Sequence, residues 1–215
     1  MEDFLQHIRD DHHSFDKGTL SDHIGSDPIA FFKTWFQEVI EKNIIEPHAM
    51  HISTVDANAI PTSRVVFLKE IIDEQFIFYT NYLSKKGNDM LQNDNVSALF
   101  FWPTLERQIR IEGKVSKVSE SLSDAYFESR PRSSKLGAWA SQQSEKLVNR
   151  HELEERVLAY AKLYPDFVPR PPHWGGYGIK PTRLEFWQGR PSRLHDRMIF
   201  EKNNENTWDV FRLNP

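Results

Sequence analysis

The chain has 215 residues, 39% of them hydrophobic and 13% aromatic, enough apolar matter for one sizeable core. Its formal net charge is -4 and its pI about 6.1, which disfavours whole-molecule attraction to nucleic acid or to an anionic membrane surface while leaving room for local basic clusters. Without cysteine, disulfides, thiolate metal sites and cysteine nucleophiles are excluded together. No apolar run approaches the roughly 18 residues that span a bilayer, and the opening residues lack an apolar leader-like stretch, so a cytoplasmic protein is expected.

Residues 1–26 are polar, acidic and rich in His and Asp, which predicts a mobile N-terminal arm ahead of a single domain over 27–215. Asp27 is placed to cap a helix that Pro28 begins. Phe31, Phe32, Trp35, Phe36, Val39 and Ile40 recur at helical spacing on one face as far as about Asn43. From Ala49 the period changes. Short β-branched and aromatic runs at 49–55, 62–69, 75–81, 95–102 and 106–118, divided by turn-like residues such as Asp56-Ala57-Asn58 and Asp73-Glu74, predict an antiparallel meander. A helix over about 84–92 interrupts it, and two or three more fall between Ser121 and Tyr164. Four prolines between Pro165 and Pro172 require extended loop. Strand-like runs return at 175–180, 182–188, 194–201 and 207–213. The fold class is therefore mainly β with inserted helices (α+β), a closed or nearly closed antiparallel barrel.

Several constellations can carry chemistry. On a strand, Arg193, His195 and Arg197 project from one face and Leu194, Asp196 and Met198 from the other. Three such neighbours repel one another unless an anion lies over them; the alternative is a solvated face with Asp196 as counterion. Arg64 and Lys69 have opposite strand parity, so either the strand bends or they serve two ligands. Lys85 and Lys86 follow Tyr79 and Thr80 where a strand end leads into a helix start, a setting that favours phosphate, although lysine pairs also mark wet surface. Tyr126, Arg130, Arg132, Ser133 and Ser134 gather at a helix junction, either as a phosphate clamp or with a serine as helix cap. Gln108 and the pair Gln143-Ser144 suit the carbonyls and ring nitrogens of a heteroaromatic ligand. His7, His12, His13, His48 and His51 lack a recognised metal spacing, so no metal is expected. No dinucleotide, P-loop or nucleophile-elbow motif occurs; Gly175-Gly176-Tyr177-Gly178 is expected to relieve strain at a strand start.

The runs Ser63-Arg-Val-Val-Phe-Leu-Lys69, Phe78-Tyr-Thr-Asn81, Leu105-Glu-Arg-Gln-Ile109, Ser129-Arg-Pro-Arg132, Gly137-Ala-Trp139, Gln143-Ser144, Phe186-Trp-Gln-Gly189 and Arg193-Leu-His-Asp-Arg197 resemble, in collinear order from about Pro47 to Pro215, the pyridoxine/pyridoxamine 5′-phosphate oxidase family. The resemblance implies a split antiparallel β-barrel, a homodimer with flavin mononucleotide (FMN) at the subunit interface, and oxidation of phosphorylated B6 vitamers with O2 giving H2O2. It implies that Arg64, Lys69, Tyr79, Thr80, Lys85, Lys86, Gln108, Gln143, Ser144, Trp187 and Arg197 contact flavin. Lys69, Tyr126, Arg130, Ser134, Arg193 and His195 contact substrate, with Arg193 and His195 catalytic. No nucleic acid or membrane partner is implied.

Two departures stand out. The family's Arg-x-x-Tyr pattern near the N-terminus is replaced by Arg9-Asp-Asp-His-His-Ser-Phe15, so lid residues are not carried over. The first hairpin has Asn58-Ala59 where glycine is frequent, and Asn58 is expected to take the left-handed turn conformation. The rival readings are a phenazine-biosynthesis type oxidase of the same barrel and a non-catalytic flavin- or pyridoxal-phosphate-binding protein. Lys69, Tyr126, Arg130 and Ser134 favour a phosphorylated substrate; Arg193 and His195 favour turnover.

Overall fold

A computed structural model describes Leu5, Arg9 and residues 13–215; over 1–4, 6–8 and 10–12 the expectation of a mobile arm lies outside the described residues. Contacts group the described residues into two compact units. One comprises those up to Pro47 with Leu99–Arg110 and Arg183–Pro215, the other His48–Ala98 with Ile111–Thr182.

In the first unit, residues 13–27 adopt no regular element, yet Leu20 is buried and its N–H donates to Asp196 at 3.0 Å, while Arg212 pairs with Asp22. These contacts use polar residues of the kind that composition counts as solvated. Helix α1 (Pro28–Glu41) starts as its sequence dictates, with the Asp27 carboxylate accepting from the N–H groups of Ile29 and Ala30. It buries Phe32, Trp35 and Val39, one face at i, i+3 and i+7, and leaves Ile40 47% exposed at the edge of the expected stripe. Phe31 and Trp35 meet Phe186 edge-on, and Phe32 meets Phe100, so the core here is aromatic.

The strands are β1 (Ala49–Val55), β2 (Pro61–Phe67), β3 (Glu70–Ile72), β4 (Gln75–Asn81), β5 (Asn95–Trp102), β6 (Arg107–Lys117), β7 (Trp174–Gln188), β8 (Asp196–Lys202) and β9 (Trp208–Arg212). They hydrogen-bond in the order β2-β1-β5-β6-β7-β4-β3, with β8 on β7 and β9 on β8. The β1/β2, β3/β4, β4/β7, β7/β8 and β8/β9 pairs are antiparallel. The expected antiparallel strands are present but not as one meander, since β1 lies between β2 and β5 and β4 pairs with β7 instead of with its sequence neighbour β5; two further differences concern the strands themselves. The three-residue β3 is too short to show a period, and the two runs 175–180 and 182–188 are one strand. Its first part pairs with β4 and its last part with β8, changing partner around Pro181, which has no N–H to donate.

In the second unit the β1/β2 turn is set by Asp56, whose carboxylate accepts from the N–H groups of Asn58 and Ile60. The left-handed residue is Ala59 (φ 61°), not Asn58, because the Asp56 bonds place the positive-φ position one residue later than expected. Helices α2 (Lys85–Gln92), α3 (Glu120–Ser129), α4 (Arg132–Ala140) and α5 (Arg150–Leu163) fill the expected helical stretches, and 165–172 is loop. Gly175 does not relieve strain: a Cβ there would lie 2.0 Å from the Tyr82 hydroxyl, so glycine allows close approach. No helix among the described residues is long and apolar enough to cross a membrane.

Candidate active site

A cavity of about 870 Å³ in the second unit is lined by eleven residues singled out from the sequence: Arg64, Lys69, Tyr79, Thr80, Lys85, Lys86, Tyr126, Arg130, Ser134, Gln143 and Ser144. Five of these are cationic, and no carboxylate side chain of the described residues lines the cavity. On β2, the Arg64 guanidinium donates to Thr54 Oγ1 at 2.7 Å and Thr62 Oγ1 at 2.6 Å. Strand β2 ends at Phe67, so Lys69 lies beyond the alternation that set it against Arg64, and both reach the same cavity.

Ser84 caps α2, its hydroxyl accepting from the Gly87 N–H, and Lys85 and Lys86 occupy the first turn, where the helix dipole opposes a positive charge. Lys85 is compensated by Asp89 at 3.0 Å and Asp56 at 3.3 Å. Lys86 is buried and is not so compensated. Among the described residues its ammonium donates only to Thr80 Oγ1, Ser84 Oγ and Gln143 Oε1, at 3.1, 3.1 and 3.0 Å. Burial first, and the Arg64 charge second, push its pKa down to about 8. Such a group is poised for an anion.

The other wall is the α3/α4 junction. Tyr126 lies on α3, Arg130 follows its last turn, and Ser134 lies in the first turn of α4. Pro131 is the cap residue of α4 and no side chain caps it, so neither serine serves as the cap. Arg132 and Ser133 do not line the cavity; the Arg132 guanidinium donates to Tyr164 O at 2.6 Å. The Tyr79 and Tyr126 rings stack at 3.8 Å, and the Tyr79 hydroxyl, its pKa raised by burial and then by Glu70, donates to Glu70. The heads of Lys69, Tyr126, Arg130 and Ser134 have no hydrogen-bond or carboxylate partner among the described residues, and Arg130 Nη1 is buried in that condition.

The remaining candidates lie in the first unit: Gln108 on β6, Trp187 on β7, Arg197 on β8, and Arg193 and His195 before β8. The expected shared strand face for Arg193, His195 and Arg197 is not present. Pro191–Arg193 form a 3-10 turn in which Ser192 and Arg193 have φ 57° and 61°, and the strand starts only at Asp196. Proline's fixed φ starts that turn and ends the alternation. The His195 ring lies 4.6 Å from the Trp187 ring, and its Nδ1 accepts from the Arg190 N–H. Arg197 is gripped through Nε and Nη2 by the buried Glu185, which also pairs with Arg110. Asp196 serves Arg212 at 2.8 Å and Arg190 at 3.7 Å, not Arg193, His195 or Arg197 as the alternative reading of a solvated strand face requires.

Phe15 belongs to the tyrosine-free segment for which the resemblance carries over no residue. Its ring meets Trp187 at 5.9 Å and His195 at 5.2 Å, both edge-on. The buried Glu106 anchors that segment, accepting from the Lys17 N–H at 2.9 Å and facing His13 Nε2 at 3.1 Å. A single aromatic in an acidic stretch was the only available sign. Trp174, Asp89 and Glu185 carry no sign in the sequence: Trp174 meets Arg130 and Glu185 meets Arg197 only through the fold, and Asp89, although four residues from Lys85, is buried among Thr54, Thr62 and Arg64 from distant strands.

The family model described as pyridoxamine 5′-phosphate oxidase matches residues 36–163, and that of the pyridoxine 5′-phosphate oxidase C-terminal dimerisation region matches 174–215. A relative from Leptospira interrogans named pyridoxine/pyridoxamine 5′-phosphate oxidase is 50% identical over 192 residues, covering 89% of this chain and 90% of its own. One of the same name from Cupriavidus necator is 48% identical over 212 residues, covering 98% and 100%. Among solved structures, PhzG from Burkholderia lata, in complex with tetrahydrophenazine-1-carboxylic acid, superposes with TM-score 0.87 at 30% identity, over 94% of this chain and 100% of that one. A pyridoxamine 5′-phosphate oxidase-related FMN-binding protein from Nostoc punctiforme shares the fold, with TM-score 0.72 at 15% identity, over 89% and 100%. With an antiparallel split-barrel fold and these matches over most of its length, the chain belongs to the pyridoxamine 5′-phosphate oxidase family.

Proposed function

We propose that this chain oxidises pyridoxamine 5′-phosphate and pyridoxine 5′-phosphate to pyridoxal 5′-phosphate, with FMN as cofactor and O2 as final acceptor giving H2O2. One observation carries the reading: a carboxylate-free cavity lined by five cations holds two kinds of donor. Arg64, Lys85 and Lys86 are already positioned by protein oxygens, whereas Lys69, Tyr126, Arg130 and Ser134 have uncommitted heads. Two phosphate monoesters bring nearly four negative charges, which such a set matches. The names of relatives about half identical to this chain support the same substrates.

The residues fit FMN. Lys86 is a buried ammonium without a carboxylate, beside Arg64 and Lys85 at a helix N-terminus, a donor set suited to a phosphate. Tyr79, Thr80, Gln143 and Ser144 complete this side; Gln108, Trp187 and Arg197 are the further flavin contacts. Lys69 serves both ligands, and with Tyr126, Arg130 and Ser134 it surrounds the substrate phosphate. We place FMN at the interface of a homodimer, supported by the dimerisation-region match, which spans Trp187, Arg193, His195 and Arg197.

When bound, FMN supplies the acceptor for the hydride equivalent that leaves substrate C4′. The chain's part is placement. Because Nδ1 of His195 accepts the Arg190 N–H, the neutral ring carries its proton on Nε2 and offers a donor to the oxygen or amine on C4′. Arg193 brings a positive charge beside it, lowering the His195 pKa after burial has done so. Both groups orient the reacting end while the phosphate clamp holds the other.

Mixing the FMN-loaded protein anaerobically with pyridoxamine 5′-phosphate tests this: the flavin should bleach, and oxygen should restore its colour with release of H2O2. Bleaching by a reduced phenazine precursor but not by the vitamer would move the protein to the phenazine type. Binding without bleaching would make it a carrier.

A further inference from the structure

We infer that Trp174 is the positioning residue of the anion seat at Arg130: its indole face carries the guanidinium, so that Arg130 meets a phosphate monoester with its charge unneutralised and its N–H groups free. The inference rests on the reading of Lys69, Tyr126, Arg130 and Ser134 as substrate-phosphate contacts.

A guanidinium withdrawn from water is ordinarily held by a carboxylate. Arg130 is not: no carboxylate or carbonyl meets its head among the described residues, and Nη1 is buried without a partner. Aromatic faces meet it instead, Trp174 with 4.6 Å from the guanidinium carbon to the ring centroid and Phe127 with 5.6 Å. Attraction to a ring face works through the plane of the guanidinium and leaves the in-plane N–H donors open. A carboxylate would hold the group as well but would cancel its charge and occupy the fork that grips phosphate oxygens.

The platform is itself immobilised. Trp174 opens β7 opposite Asn81, its backbone N–H donates to Pro171 O at 3.0 Å, and its backbone carbonyl accepts from Arg170 Nη1 at 2.7 Å. Arg170 is in turn paired with Asp124. The indole meets Phe127 edge-on at 5.1 Å and runs within 9° and 5° of parallel to the Tyr79 and Tyr126 rings. The ring that supports Arg130 therefore also aligns the phenol of Tyr126, a second member of the seat.

The test uses FMN-loaded protein and two readouts, calorimetric binding of inorganic phosphate and the KM and kcat for pyridoxamine 5′-phosphate. Trp174→Leu should weaken phosphate binding and raise KM by about 5- to 30-fold, with kcat within about twofold. Trp174→Phe keeps a face and the packing, and should lose only about two- to fivefold. Neither substitution should weaken binding further once Arg130→Ala is present. Equal losses with and without Arg130 would mean that Trp174 acts through packing, and would overturn the inference; if the leucine variant does not fold, the phenylalanine variant decides by the same comparison. Loss in Arg130→Ala with none in the Trp174 variants sinks this inference alone. Phosphate binding unaffected by Arg130→Ala sinks it together with the phosphate-site reading.

Discussion

The backbone N–H of Arg190 donates to Nδ1 of His195 at 3.1 Å, a bond that only an unprotonated Nδ1 can accept. Burial first, and the charge of Arg193 second, push the His195 pKa below its ordinary 6.5, so electrostatics and hydrogen bonding select the same neutral ring. A lowered histidine pKa means that the folded state binds fewer protons than the unfolded state. Acid therefore destabilises this turn as pH falls through 6.5 and below. We expect kcat/KM to hold from neutrality down to about that pH and to fall only beneath it. Arg193→Leu should move the ring's titration upward when followed by NMR. A His195 pKa at or above the ordinary value in the intact protein would contradict the assignment.

Lys86 makes stability rise with pH in the same sense, at higher pH, but gives cofactor binding a dependence of the opposite sense. Its pKa is held down to about 8, so below that value the buried ammonium costs the cofactor-free protein stability, and the cost fades as pH rises from about 8 toward 10.5. FMN should reverse the balance, because the phosphate prefers the charged lysine. Affinity for FMN, followed by flavin fluorescence, should weaken as pH rises through about 8. Lys86→Met should remove that slope, weaken FMN by roughly 10- to 100-fold, and stabilise the cofactor-free protein at neutral pH. An affinity flat in pH for the unaltered protein would show that Lys86 does not meet the phosphate.

Most strands were legible because β1, β2 and β4 to β6 carry dense β-branched and aromatic runs, and α1 because Asp27, Pro28 and a three-residue apolar face agree. The cavity was legible through the resemblance, since Arg64, Lys86 and Arg130 lie far apart in the chain and only the fold brings them to one wall. Three things were not legible, each for a physical reason. The Pro191–Arg193 turn hid inside what reads as a strand, because alternation says nothing about where a positive φ falls. The stretch around Phe15 looked solvated, because Glu106, which holds it, is about ninety residues away. Glu185 and Asp89 looked like ordinary surface carboxylates, and burial between cations is a property of the fold alone.

Glu185 makes that last point testable. Burial alone would raise its pKa, but Arg197 at 2.7 Å and Arg110 outweigh burial and hold it below 4.5. A depressed carboxylate contributes stability above its unfolded pKa and loses it as pH falls. Glu185→Gln leaves two arginines facing a neutral amide. It should cost about 2–4 kcal/mol at neutral pH, toward the lower end because Arg110 is partly solvated. Urea titrations should show the gap between variant and parent closing in acid below 4.5. Arg197, no longer gripped at two nitrogens, should also bind FMN less tightly. A gap that stays constant with pH would mean that the glutamate acts by shape and not by charge.

The most stringent test of how the phosphate wall is built is a methyl group at Gly87. In a free helix Gly→Ala stabilises by about 1 kcal/mol through backbone entropy. Here the added Cβ would lie 2.0 Å from the Tyr82 carbonyl oxygen and 2.5 Å from its carbon, backbone against backbone, with no flexible side chain to yield. Helix α2 would have to shift bodily, and its first turn holds Lys85 and Lys86 as well as the Gly87 N–H that the Ser84 cap receives. Gly87→Ala should therefore reverse the usual sign, destabilising by about 2–4 kcal/mol and weakening FMN together. Thermal melts and flavin titrations on the same sample separate the two effects. An alanine variant that melts normally but fails to bind flavin would show that the helix shifts without strain and that only the lysines are misplaced. One that melts normally and binds normally would mean that α2 does not approach Tyr82 as closely as its geometry requires.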